Sequence, residues 1–172
     1  MDAALERLTS LGGAASSQYI ILAESSKSLG LELSPLGDVY IQEDRNGMIM
    51  HTNHFIANTC VQQPPWLPGS PVRLQRCKDL CDDLVQAGVA GKQITPTLLR
   101  EKIFSDRYNA PEAICCSEDP LAHPTQKCST LFNIVMNLER GNLGAEVIFG
   151  RPGYGEASAV VKLPWGPEDG HY

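Results

Sequence analysis

The apolar residues of this chain follow two rhythms. Between residues 19 and 52 they come in short runs split by polar turns. Tyr19–Ala23 (YIILA) is a compact β-branched run and predicts a buried strand. Leu29–Leu33 (LGLEL) alternates apolar with small or charged residues and predicts a half-buried strand, with the polar stretch Glu24–Ser28 turning the chain between them. Val39–Gln42 and Met48–Thr52 flank Asp44-Arg45-Asn46-Gly47, and Asn-Gly between two such runs predicts a hairpin. Ahead of all this, Leu5 and Leu8 share a helical spacing and Gly12-Gly13 break it, so residues 2–11 read as a short helix.

The second rhythm has a helical period. After an irregular stretch, 55–70, rich in proline, Ser70-Pro71 supplies an N-cap and a proline for the first helical position. Leu74, Cys77, Leu80, Cys81, Leu84 and Val85 then mark one face of a helix that Gly88 and Gly91 end. Thr95-Pro96 repeats the start signal for a second helix to residue 105, with Leu98, Leu99, Ile103 and Phe104 inward. The strand rhythm returns in Ala113–Ser117, in a hairpin of Thr130–Leu138 and Ala145–Phe149 across Gly141-Asn142-Leu143-Gly144, and in Ala157–Leu163. The order is helix, four strands, two helices, four strands. Hairpins with grouped helices predict an α+β fold with antiparallel sheets rather than alternating βαβ units. Residues 1–163 form the folded part and 164–172 a polar tail.

Composition narrows the classes. At 172 residues the chain is of single-domain size and long enough for a hydrophobic core. A net charge of −6 with no basic cluster argues against nucleic acid as a partner. No apolar stretch approaches the roughly 18 residues of a membrane span. The N-terminal residues do not read as a signal peptide, so a cytoplasmic protein with six reduced cysteines is expected.

The chemistry centres on His51-Thr52-Asn53-His54, where a strand should run out. Zinc would need four converging ligands, and the Cys-x2-Cys pairs that often supply them are absent, so no metal is expected. No local signature selects any of the six thiols for a Cys-His nucleophilic pair, and burial in a core is the expectation for each. Gly150-Arg151-Pro152-Gly153 lacks the spacing and lysine of a phosphate loop and reads as a turn after a strand; Glu118-Asp119 reads as a solvated pair. Asn53 has an amide that can donate to an oxyanion without titrating, and it equally suits the capping of a turn.

Several ordered motifs resemble the acyl-coenzyme A:6-aminopenicillanic acid acyltransferase family. They are AASSQYIILAESSKSLGLELSP, NGMIMHTNHF, SPVRLQRCKDL, NAPEAICCSED and STLFNIVMNLERGNLGAEVIFGRP, spanning roughly residues 10–155. The resemblance implies an N-terminal-nucleophile hydrolase fold, a four-layer αββα sandwich, of which this chain would be the C-terminal portion. It implies acyl transfer or amide hydrolysis on a secondary metabolite through a cysteine thioester. The partners would be a small-molecule acyl donor, such as an acyl-coenzyme A co-substrate, and an amine acceptor, with no cofactor. By the same resemblance Asn53 contributes to the oxyanion hole, and His51, His54, Lys127 and Ser129 contact substrate. Where the family has a Ser-Arg pair this chain has Gln126-Lys127, which keeps a positive charge without the planar fork of arginine.

None of the six cysteines follows a glycine, as the family's self-cleaving Gly-Cys nucleophile would. The nucleophile is therefore expected upstream of the matched region or on a partner chain, and self-association is a further expectation. The terminal Gly170-His171-Tyr172 is not a peroxisomal tripeptide. The competing expectations are a non-catalytic relative that binds a partner or ligand, and a small metal-binding protein using His51, His54 and thiols.

Overall fold

The computed structural model describes residues 1–63, 69–89, 93–139, 143–156 and 159–164. Their contacts fall into two units, Met1–Leu67 and Pro68–Tyr172. Both combine helix with antiparallel sheet, so the α+β expectation holds.

In the first unit, helix α1 (Asp2–Ser10) precedes a three-stranded meander of β1 (Gln18–Glu24), β2 (Lys27–Leu33) and β3 (Val39–Ile41). The β1–β2 turn is tighter than expected. Glu24 pairs with Lys27, leaving only Ser25-Ser26 between the strands. β2 is also not half-buried. Leu29, Leu31 and Leu33 on one face are 6%, 0% and 2% exposed, while Gly30 and Glu32 on the other are buried too.

The expected strand Met48–Thr52 does not form as a ladder. The Asn46-Gly47 turn is present, with Gly47 at φ +73° and Asp44 N donating to Met48 O at 2.9 Å. Asp44 Oδ1 accepts from the amides of both Asn46 (2.8 Å) and Met48 (3.0 Å). A side chain thus takes the amide a hairpin would use, and the chain leaves the sheet toward Glu32.

In the second unit, α2 (Ser70–Gln86) starts one residue earlier than expected, with Gly69 at the cap position and Ser70 buried inside the first turn. Gly88 ends it at φ +79°; Gly91 lies outside the described residues. α3 (Pro96–Leu99) begins as expected, Thr95 Oγ1 accepting from Leu98 N at 3.1 Å, then widens into a π-type turn over Arg100–Phe104. A sheet of β4 (Phe132–Asn137), β5 (Gly144–Phe149) and β6 (Val160–Pro164) follows in that order, all antiparallel. Residues 140–142, 157–158 and the tail from 165 lie outside the described residues.

The expected strand Ala113–Ser117 is instead a bent segment. Cys115 N donates to Asp106 O (2.8 Å) and Ser117 N to Pro111 O (3.0 Å), so local carbonyls take the amides a strand would give to a neighbour. Ala113 and Cys115 are fully buried there, and Arg76 fixes Asp106 through Nε (3.0 Å) and Nη2 (2.8 Å).

Candidate active site

Glu32 organises the first unit. Its side chain is fully buried, which for a carboxylate demands full compensation. Oε1 accepts from His51 Nε2 at 2.8 Å and Ile56 N at 2.5 Å. Oε2 accepts from Ala57 N at 2.9 Å and Asn58 N at 2.6 Å. Burial alone pushes its pKa up; the bonds from Ile56, His51, Asn58 and Ala57 together outweigh that and hold it below the usual carboxylate range. An ionised carboxylate only accepts, so the Nε2 of His51 carries the proton.

The strand register explains how His51 reaches this position. Tyr19 lies directly opposite Glu32, and Gly30 is two residues back on the same face. A side chain at Gly30 would strike Tyr19: its Cβ would lie 2.8 Å from the phenol oxygen and 3.2 Å from Ile41 Cβ. Glycine therefore opens the space in which the Tyr19 ring lies flat. His51 stacks on that ring, centroids 3.4 Å apart and planes 7° from parallel. The imidazole is held by the ring and by the carboxylate, and its side chain is 4% exposed. The Tyr19 hydroxyl is buried without a hydrogen-bond partner, and burial, then the charge of Glu32, raise its pKa.

Between His51 and Ile56 the chain makes the bend that carries Asn53 and His54. Both ends of this loop are tied to one carboxylate. Asn53 lies exposed near its tip, and His54 Nδ1 shares a 3.2 Å hydrogen bond with Thr52 Oγ1. Past the tip, Phe55 N donates to Gln63 Oε1 at 2.6 Å. Asn58 finishes the anchor: Nδ2 donates to Glu32 O (3.0 Å) and Gly37 O (2.8 Å), while Oδ1 accepts from Cys60 N (2.9 Å). The amides of Phe55, Ile56, Ala57, Asn58 and Cys60 are satisfied by side chains, so irregular backbone is held in one place. An open cleft of about 440 Å³ in the same unit is lined by Leu5, Lys27, Ser28, Gln42, Glu43 and Asp44, away from this loop.

His51, Asn53 and His54 are thus brought together, with His51 spent on internal bonds. Lys127 and Ser129 belong to the second unit. Lys127 lies 3.9 Å from Glu118, and Ser129 is half-buried. No three His, Cys, Asp or Glu side chains gather as a metal site among the described residues. No helix among them is long and apolar enough to cross a membrane. Sequence reasoning missed Glu32, Tyr19, Gly30 and Asn58. The one available signal was a charge in an otherwise apolar strand with glycine two residues before it.

Comparison with known proteins bears on this arrangement. The family model described as acyl-coenzyme A:6-aminopenicillanic acid acyl-transferase matches residues 1–152. The chain is 31% identical over 160 residues to the acyl-coenzyme A:6-aminopenicillanic-acid-acyltransferase 40 kDa form of Emericella nidulans. That match covers 92% of this chain and 41% of the relative, so the chain spans about two fifths of its length.

Proposed function

Because this chain belongs to the acyl-coenzyme A:6-aminopenicillanic acid acyltransferase family, we propose that it supplies an oxyanion donor to acyl transfer or amide hydrolysis in secondary metabolism. The donor is Asn53. When a thiolate attacks the acyl carbonyl, negative charge develops on the oxygen, and an amide N–H already in place stabilises it without reorganising. The observation that carries this reading is the loop 51–58, tied at both ends to the buried Glu32, with Asn53 exposed near its tip. The nucleophile is a Gly-Cys-headed cysteine supplied in cis or by another chain. An acyl-coenzyme A thioester is the donor and a small amine or water the acceptor. His54, Lys127 and Ser129 contact substrate, and the antiparallel sheets are portions of an αββα sandwich.

The test pairs the chain with a nucleophile-bearing segment of the family and follows acyl transfer from an acyl-coenzyme A thioester to 6-aminopenicillanic acid. Asn53→Ala lowers kcat by about 10²–10³ with KM nearly unchanged. Lys127→Ala and Ser129→Ala raise KM instead. The chain alone forms no thioester. Equal losses of kcat and binding in Asn53→Ala would reduce Asn53 to a turn residue. A thioester on one of the six cysteines would overturn the assignment of the nucleophile.

A further inference from the structure

We propose that Cys116 and Cys128 are a redox-responsive modification site, two thiols set to close a disulfide across the segment between them. Their sulfurs lie 3.8 Å apart, and Cys116 Sγ also lies 3.5 Å from the carbonyl oxygen of Cys128. The backbone already joins the two ends of the segment. Cys116 N donates to Thr130 Oγ1 at 3.0 Å, and Thr130 N donates to Cys116 O at 3.1 Å. Bond formation then asks for side-chain rotation that brings the sulfurs to about 2.0 Å, with the backbone anchors kept.

Access favours this pair. Cys128 is exposed and Cys116 half-buried, so an oxidant reaches the first and the second lies behind it. The other thiols are placed differently. Cys115 is fully buried and takes the amide of Gly153 at 3.4 Å. Cys81 is buried in α2, where it hydrogen-bonds Cys77 one helical turn away.

The oxidant is a small-molecule disulfide of the glutathione class. The Cys128 thiolate attacks one sulfur of that disulfide, forming a mixed disulfide and releasing one thiol. Cys116 then loses its proton to water, and its thiolate attacks Cys128 Sγ and expels the second thiol. Two cysteines are oxidised, one external disulfide is reduced to two thiols, and no atom is unaccounted for. The second step is the slow one: in the free dithiol, burial, then the contact with Cys128, push the Cys116 thiol up to about 11, and the burial persists in the mixed disulfide. The mixed disulfide on Cys128 therefore accumulates before the bridge closes. Closure locks residues 117–127, which carry Lys127 and its partner Glu118, and fixes the position preceding Ser129. None of this depends on the role proposed for Asn53.

The experiment equilibrates the full chain with mixtures of oxidised and reduced glutathione, quenches with acid, alkylates free thiols and maps tryptic peptides by tandem mass spectrometry, which separates Cys115 from Cys116 within peptide 108–127. Trypsin cuts after Lys127, so Cys116 and Cys128 fall on separate peptides that only a bridge can join. The wild-type chain yields the joined pair, preceded in time by a glutathione adduct on Cys128. Cys116→Ser stops at that adduct, Cys128→Ser yields no bridge, and Cys115→Ser bridges as the wild type does. The wild-type map stands even if a variant misfolds. Full alkylation of Cys116 and Cys128 where the exposed Cys60 is already glutathionylated would overturn the proposal. So would a bridge running through Cys115 or Cys60.

Discussion

Replacing Glu32 by glutamine changes almost no volume and removes one charge. The carboxylate accepts two hydrogen bonds on each oxygen, from His51 and Ile56 on one and from Ala57 and Asn58 on the other. An amide keeps one acceptor oxygen. With the NH₂ turned toward His51 and Ile56, the imidazole can change tautomer and accept at Nε2, so only the Ile56 N–H loses its partner; turned the other way, the N–H groups of Ala57 and Asn58 both lose theirs. Each orphaned donor costs about 1–3 kcal/mol, so the first orientation prevails and the substitution should cost roughly 2 kcal/mol. With a urea slope of about 2 kcal/mol per molar, the unfolding midpoint falls by about 1 M at unchanged slope. The sign with pH is fixed by the depressed folded-state pKa of Glu32. Its contribution is complete above the unfolded carboxyl value of about 4.3 and fades as pH falls through the folded value, so the gap between wild type and variant narrows in acid. Urea titrations followed by circular dichroism at pH 7 and across the acid range measure both effects. Hydrogen exchange of the 56–58 amides reports the local loosening. Glu118→Gln, at an exposed surface pair, is the control and leaves the midpoint unchanged. A Glu32→Gln midpoint equal to the wild type, or a gap that does not change with pH, would refute the reasoning.

Two further substitutions probe the same packing. Gly30→Ala places a methyl 2.8 Å from a phenol oxygen whose ring is stacked on His51, so the ring must shift and stability falls by about 1–3 kcal/mol, read by thermal melting. Tyr19→Phe removes a buried hydroxyl that makes no hydrogen bond, so the melting temperature holds or rises; a clear fall would show that the hydroxyl has a partner.

The elements that sequence reasoning located are those with local causes. Ser-Pro and Thr-Pro starts mark both helices of the second unit, and short apolar runs broken by Gly or Ser turns mark the β1–β2 and β4–β5 hairpins. The strands it placed wrongly, 48–52 and 113–117, fail because Asp44 and nearby carbonyls capture amides that periodicity assigns to a ladder. Asn53 stood out through a resemblance, because nothing in its own spacing separates a donor from a turn residue. Glu32 did not stand out at all. Its partners are 19 to 26 residues away, and in sequence a glutamate beside leucines reads as the solvent face of a strand. Only the register, which sets Tyr19 opposite Glu32, shows that this face is covered.

The Gly30 gap ties four residues into one packing constraint along an evolutionary path. A larger residue at 30 evicts the tyrosine ring, an evicted ring deprives His51 of its stacking surface, and a displaced His51 leaves Glu32 short of a donor. Single changes that fill the gap at 30 or remove either ring meet a penalty that a joint change avoids, whereas Tyr19→Phe keeps the ring and is spared it. Relatives that alter position 30 should therefore carry compensating changes at 19 and 51 together, so drift here moves in concerted jumps rather than single steps.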